Sequence, residues 1–262
     1  MRERAARLLM PLLHRLGWSV LLPGLRRLAM MRRARLDPGS ATVVTVNWNS
    51  AEHLRVLVST VRRRSPTSTR ILVVDNGSQQ PLPTWPGVRV LRLPLNMGHD
   101  FALDLGVILC STEFVVTLDV DAFPLHDEWL SELLGPLRTG AEVSGARLNR
   151  VYVHPCCWAM RTERFVRRRH SFRSRYEPRA PGRDASGDVG EVISAREAPA
   201  LHFFDVASQR GPGDVGTVFG GLVYHNFYAT RFHATQESTL DAHVAEADAR
   251  EAWQEAVRRY AS

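Results

Sequence analysis

Glu113-Phe114-Val115-Val116-Thr117-Leu118-Asp119-Val120-Asp121 is a β-branched, apolar run that closes on two carboxylates separated by one residue. Its composition predicts a buried strand. Residues two apart in a strand share a face, about 6.5–7 Å apart along the chain, so Asp119 and Asp121 are expected side by side at the strand end. Two unpaired carboxylates there repel each other, and a bound cation relieves that repulsion. Oxygen ligands at such a position suit Mg²⁺ or Mn²⁺, which fill their other positions with water and phosphate oxygens. The alternative is a solvated strand end.

Upstream of this run the chain alternates strands and helices. Ala41-Thr42-Val43-Val44-Thr45-Val46 ends at Asn47-Trp48-Asn49-Ser50, and Leu54, Leu57, Val58 and Val61 then recur at helical spacing to Arg63, with Ser50 as the expected N-cap. Ser65-Pro66-Thr67 breaks that helix. Arg70-Ile71-Leu72-Val73-Val74 is a second buried strand, ending at Asp75-Asn76-Gly77-Ser78. Strand, helix and strand in so short a span form a parallel βαβ unit. A third strand, Val88 to Leu93, leads to Asn96-Met97-Gly98, and Phe101 to Leu109 returns as a helix to the opening run. The pattern predicts an α/β, Rossmann-like three-layer sandwich with a mostly parallel central sheet. In such sheets ligands bind outside the carboxyl ends of the strands, which directs Asn47, Asp75, Asn96, Asp119 and Asp121 toward one crevice.

Downstream, strands are expected at Val143 to Ala146 and Cys156 to Met160, and helices over Thr162 to Arg168 and Val189 to Arg196. The Arg-, Pro-, Ser- and Gly-rich stretch 169–187 reads as a loop, and Thr217 to Phe227 as one late strand containing His225. Ser238 is placed to cap a last amphipathic helix to Tyr260, burying Leu240, Val244, Trp253 and Val257.

Charge is concentrated in two patches. Every basic side chain among the 34 is Arg; residues 1–36 hold nine Arg against one Glu, and 161–183 hold nine against two Glu, while the formal net charge is only +7. The basic stretches lack interleaved aromatics and no nucleic-acid-binding signature accompanies them, so nucleic acid is not an expected partner. Residues 1–36 mix Leu, Met and Trp18 with Arg and read as two short amphipathic pieces interrupted by Pro11, Gly17, Pro23 and Gly24. No apolar run there approaches the roughly 20 residues that span a bilayer. A basic amphipathic segment can instead lie on an anionic membrane surface; a disordered basic tail, or translation starting at Met30 or Met31, is the alternative. Cys110, Cys156 and Cys157 are odd in number and two are adjacent, which points to a reducing, cytoplasmic compartment. His154-Pro155-Cys156-Cys157 lacks the ligand spacing of a zinc site.

Together, Val43 to Ser50, Val73 to Ser78, Asn96-Met97-Gly98 and Leu118 to Asp121 resemble the family-2 glycosyltransferases of the GT-A fold, over about residues 41–135 with weaker similarity to 230. The resemblance implies an inverting transfer of a hexosyl or deoxyhexosyl group from a nucleoside diphosphate sugar to an acceptor hydroxyl, with Mn²⁺ or Mg²⁺ holding the diphosphate. It implies that Asp75 contacts base or ribose and that Asn47 and Trp48 line the base, where a buried Trp48 or a turn-forming Asp75 is the structural alternative. Asn96 and Gly98 match a turn near the donor, or a turn alone. Asp119 and Asp121 match the DxD pair, the second binding the metal and the first approaching metal, ribose or sugar. His225 resembles a late metal-ligating His, with a core histidine as the alternative. The catalytic base is expected within Gly187-Asp188-Val189-Gly190-Glu191, Asp188 before Glu191, or Asp188 is a helix cap. Gln79, Gln80, Asp100 and Asp104 depart from the family pattern, and His99 and Asp104 are placed to reach the sugar or a phosphate.

The implied organisation is a basic amphipathic segment over 1–38, a GT-A domain over 39–235 with a nucleotide-binding half (39–135) and an acceptor half (136–235), and a C-terminal helix over 236–262. The acceptor would be a glycan or lipid-linked, and Arg167-Arg168-Arg169 would suit an anionic one. The expected setting is cell-surface polysaccharide or glycolipid synthesis, peripheral at the inner face of the cytoplasmic membrane. The competing readings are a sugar nucleotidyltransferase, whose glycine-rich basic N-terminal loop is missing from the sequence, and a non-catalytic membrane-associated module.

Overall fold

The computed structural model describes residues 12–32, 35–147, 152–173, 189–208, 216–227 and 246–261. Three parallel pairings build one side of the central sheet from β1 (Asp37–Asn47), β2 (Arg70–Asn76), β3 (Val88–Leu93) and β4 (Thr112–Leu118). β6 (Val143–Ala146), β7 (His154–Arg161) and β8 (Leu201–Phe204) complete a seven-stranded sheet of order β3-β2-β1-β4-β7-β6-β8, in which only β7 runs antiparallel to its neighbours. The order reverses between β1 and β4, the topological switch point at which open α/β sheets bind ligands.

Both faces of the sheet are covered, which is why its central strands are apolar in both directions. On one face α2 (Ala51–Arg64) and α4 (Trp129–Arg138) bury Leu54, Leu57, Trp129 and Leu133 against Val43, Val73 and Val116. On the other, α3 (His99–Ile108), α5 (Thr162–Arg167) and α6 (Glu191–Glu197) bury Phe101, Phe165 and Ile193 against Val44, Val74, Val115 and Trp158. The expected three layers are present.

The N-terminal segment differs from its expectation. Residues 12–32 form one helical run, a wide turn at Gly17–Leu21 leading into α1 (Leu22–Arg32). Pro23 and Gly24 do not break it, because the wider turn just before Pro23 absorbs the missing backbone donor. This helix is not a tail. Gly17 lets its backbone approach Phe101, where a Cβ would stand 2.7 Å from the ring; Trp18 meets Phe101 edge-on at 5.6 Å, and Leu22 is buried. Pro11 lies outside the described residues.

Two further expectations are corrected. The span from Thr217 is two strands, β10 (Thr217–Phe219) and β11 (Val223–His225), turned back by Gly220 and Gly221, both at positive φ. With β5 (Ala122–Pro124) and β9 (Val206–Ser208) they form a second, antiparallel sheet of order β5-β11-β10-β9. Ser50 stands at the N-cap position of α2, but its hydroxyl donates to Trp48 O rather than capping the helix. The C-terminal helix α7 (Glu246–Ala256), with a final wide turn Val257–Ala261, packs Trp253 against Phe123 and His53. Ser238, Leu240 and Val244 lie outside the described residues.

Candidate active site

β4 ends at Leu118, one residue before the carboxylates. Asp119 and Asp121 are therefore not brought together by strand alternation; Asp119 to Ala122 is a tight turn closed by Ala122 N donating to Asp119 O at 2.9 Å. The turn is held from two sides. Asp119 N donates to Cys156 O of β7, and Asn226 N, just past β11, donates to Asp121 O at 3.1 Å. Pairing of β11 with β5 sets His225 opposite Ala122. His225 Nε2 consequently lies 3.1 Å from Asp121 Oδ1 and 3.3 Å from Asp119 Oδ2. One ligand atom from each of Asp119, Asp121 and His225 lies within 4.8 Å of the others.

These residues fit a divalent cation. Asp119 Oδ1 is buried and accepts no hydrogen bond, and the donor set is two carboxylates and an imidazole. Burial pushes the Asp119 carboxyl up, but the hydrogen bond and charge of His225 outweigh it and hold the group well below the usual carboxylate range. For His225, burial acts downward, and the charges of Asp121 and Cys156 and the bonds to both carboxylates carry it well above its ordinary value. A carboxylate held anionic beside a protonated imidazole suits a metal, which would take the place of the imidazole's proton and be held by both groups. His99, at the start of α3, adds its Nε2 3.6 Å from Asp119 Oδ1.

At the ends of β1 and β2, Asn47 and Asp75 pair in register and are both buried. Asn47 Nδ2 donates to Asp75 Oδ1 and to Ser78 Oγ, each at 3.0 Å, and Ser78 Oγ donates to the same carboxylate oxygen. The turn after Asp75 is closed by its carbonyl, which accepts from Gly77 N. One carboxylate oxygen, Oδ1, thus braces the turn through Ser78, while Oδ2 accepts no hydrogen bond and faces Arg92 Nε at 3.7 Å. Trp48 is half-buried beside it. Asn96-Met97-Gly98 is laced to Asn76, whose Nδ2 donates to Asn96 Oδ1 and Gly98 O while its Oδ1 accepts from Met97 N. The side-chain carbonyl of Asn96 serves that turn, which Gly77 permits: a Cβ there would stand 2.4 Å from Asn96 N.

Asp104 departs from its expectation. It points away from the crevice and is wholly buried under α1, where it accepts from Arg26 Nη2 at 3.2 Å, Ser171 Oγ at 2.6 Å and Phe172 N at 2.7 Å. An acid five residues beyond the helix start cannot share the face of His99. Asp188 lies outside the described residues, and Glu191, the first residue of α6, is half-buried. α6 is fixed by Glu197, which accepts from Arg164 at 2.6 Å and meets His170 Nε2 at 2.5 Å, and by Ser194, which accepts from Val153 N.

Three neighbours were not foreseen. Arg92 closes on Asp75; it lies three residues from Arg89 and so on the opposite face of β3, in a pattern that does not alternate and gave no sign of the crevice. His154 lies with its ring 6.3 Å from that of His225, and Cys156 beside both rings has its thiol lowered by them against the pull of burial. The absence of zinc spacing concealed this proximity, because it brings together β7 of one sheet and β11 of the other.

Comparison with known proteins agrees with this geometry. The model of glycosyl transferase family 2 matches residues 42–186, more than half of the chain. The pre-mycofactocin glycosyltransferases of two Mycobacterium tuberculosis strains, CDC 1551 / Oshkosh and H37Rv, are each 37% identical over 100 residues, covering 36% of this chain. The chain matches only 20% of the length of these relatives. Among solved structures, S. aureus TarS 1–349 superposes with TM-score 0.50 at 15% identity, over 84% of this chain and 71% of that one. The mannosyltransferase PcManGT from Pyrobaculum calidifontis, solved with GDP-Man and Mn²⁺, gives TM-score 0.43 at 17% identity over 61% of this chain and 58% of that one. The likeness to TarS agrees with the layered sheet in identifying the GT-A fold. Among the described residues, no helix is long and apolar enough to cross a membrane. With the strand-end motifs and the family model falling on the same residues, the chain belongs to glycosyl transferase family 2.

Proposed function

We propose that this chain is a metal-dependent, inverting glycosyltransferase that moves a hexosyl or deoxyhexosyl group from a nucleoside diphosphate sugar to an acceptor hydroxyl. The observation that carries the reading is the convergence of Asp119, Asp121 and His225 at the sheet's switch point, beside the buried Asn47–Asp75–Ser78 network. In this reading Asp75 and Asn47 receive the base or ribose, with Trp48 against the base, and Asn96 and Gly98 shape the wall near the donor. Asp119, Asp121 and His225 hold Mn²⁺ or Mg²⁺; when bound, the ion neutralises charge on the diphosphate as it leaves. Asp188 takes the acceptor's proton as its oxygen attacks the anomeric carbon, with Glu191 as the second acidic group on the same segment.

The division of labour places donor binding in 39–135 and acceptor binding in 136–235, with 1–38 and 236–262 as flanking segments. The acceptor is a glycan or lipid-linked hydroxyl, in cell-surface polysaccharide or glycolipid synthesis at the inner face of the cytoplasmic membrane. Support for the peripheral location comes from the N-terminal helix, which docks one side on α3 and leaves Leu16, Val20, Leu21, Leu28 and Met31 exposed on the rest of its surface.

The test is calorimetric titration of UDP, GDP, dTDP and CMP, with Mn²⁺ and with chelator, into the full chain and into Asp121→Ala. Metal-dependent binding of one nucleotide, lost in the variant, supports the reading and names the base. No binding to any of them refutes it.

A further inference from the structure

A groove of about 690 Å³ runs between α1, α3, α5 and α6, on the face of the sheet that carries Asp104. It shares no lining residue with the donor crevice. Five guanidinium groups line it, from Arg26, Arg27, Arg169, Arg173 and Arg196, against one carboxylate, Asp104. They come from three separate elements of the chain, so no local sequence run forces them together. Among the described residues Arg27, Arg169, Arg173 and Arg196 form no ion pair with a carboxylate.

Arg26 makes the groove more than a solvated basic surface. Its side chain is only 12% exposed. Its Nη2 is used twice, donating to Asp104 Oδ2 and to His170 O, while Nη1 is buried and donates to nothing. A buried guanidinium donor without an acceptor is costly, and neighbouring Arg169 adds like-charge repulsion to that cost. An anion in the groove relieves the like-charge repulsion and leaves Arg26 a second counter-charge beside Asp104. Guanidinium groups bind phosphate through paired N–H donors. The volume falls within the 300–1,000 Å³ usual for small-molecule sites. Trp18, Leu22 and Met30 line the same groove, so apolar surface stands next to the basic floor.

We infer that this groove is a second ligand site, distinct from the donor crevice, and that it binds a phosphate-bearing anion with Arg26 at its floor and Arg27, Arg169, Arg173 and Arg196 around it. The phosphate belongs either to a phospholipid headgroup or to a soluble phosphate. The site needs neither the reading of the donor crevice nor a membrane location.

Two probes are applied to the full chain: inorganic phosphate by calorimetry, and cosedimentation with phosphatidylcholine vesicles with and without phosphatidylglycerol. The groove variant carries Arg27→Glu, Arg173→Glu and Arg196→Glu, all at exposed positions, with its folded state verified by circular dichroism because Arg173 lies over the Trp18 ring. A control carries Arg55→Glu, Arg62→Glu and Arg89→Glu, equally exposed and outside the groove. Arg26 is tested by Arg26→Met combined with Asp104→Asn, which removes both members of the ion pair. Wild type and control are expected to bind at least one probe, and the groove variant to bind it at least about tenfold more weakly. The Arg26→Met, Asp104→Asn chain is expected to weaken binding too, with its folded state verified by circular dichroism. Binding confined to phosphatidylglycerol vesicles identifies a lipid headgroup, and binding of inorganic phosphate a soluble one. Absence of binding to both probes, or equal weakening in control and groove variants, overturns the site.

Discussion

Removing the titration of Asp104 tests how the N-terminal helix is held. The carboxyl is fully buried, and burial is the largest influence on it, pushing it from the ordinary 3.8 to about 6 against the opposing pull of Arg26, Ser171 and Phe172 N. Between those two values the folded chain retains a proton that the unfolded chain has released. Unfolding stability therefore falls as pH rises through this window. A shift of about two pH units at about 1.4 kcal/mol each corresponds to about 3 kcal/mol, present near pH 4 and lost by pH 7. Other carboxylates titrate in the same range, so the quantity to follow is a difference. Urea unfolding of wild type and Asp104→Asn is measured from pH 4 to 7.5, and the stability of wild type minus that of the variant is expected to fall by about 3 kcal/mol across the window. Arg26→Met extends the fall above pH 6, because the buried carboxylate loses its cation, and at neutral pH costs about 3–5 kcal/mol. A difference that stays flat, or rises with pH, would refute the reasoning: Arg26 would then outweigh burial and hold Asp104 ionised.

Further outcomes follow from individual contacts. Asp75→Asn is expected to weaken nucleotide binding about tenfold or more in the calorimetric titration, since the carboxylate oxygen that accepts no hydrogen bond becomes an amide; unchanged affinity would remove Asp75 from the donor site. Gly77→Ala forces a side chain to positive φ and into Asn96 N, and should cost about 2–4 kcal/mol in chemical denaturation. Trp253→Ala empties the contact of α7 with Phe123 and His53 and should cost about 3–5 kcal/mol; a cost near zero would show that this helix does not hold the fold.

The parallel half of the sheet was legible because each strand there is a continuous apolar run, each helix keeps a 3.6-residue stripe, and Gly or Pro punctuates between them. Leu54, Leu57, Val58 and Val61 are all buried as their spacing predicts. The hairpin at Gly220-Gly221 was misread as one strand because Thr217 to Phe227 is apolar on both sides of the turn, so hydrophobicity does not mark where the chain reverses. Glu113 to Asp121 was read one turn too long for a similar reason: Val120 is buried and continues the apolar pattern through a turn that only hydrogen bonds to Cys156 and from Asn226 reveal.

The amino-acid sequence by itself determined the βαβ order and the polar residues at each strand end, Asp119 and Asp121 among them, because these depend on neighbours within a few residues. Tertiary structure alone decided that His225 joins those carboxylates, 104 residues away, and that Asp104 turns from the crevice to Arg26, 78 residues away. Side-chain identity limits what each group can bind, but packing of distant elements selects the partner, since a buried charge goes wherever the folded chain supplies its counter-charge.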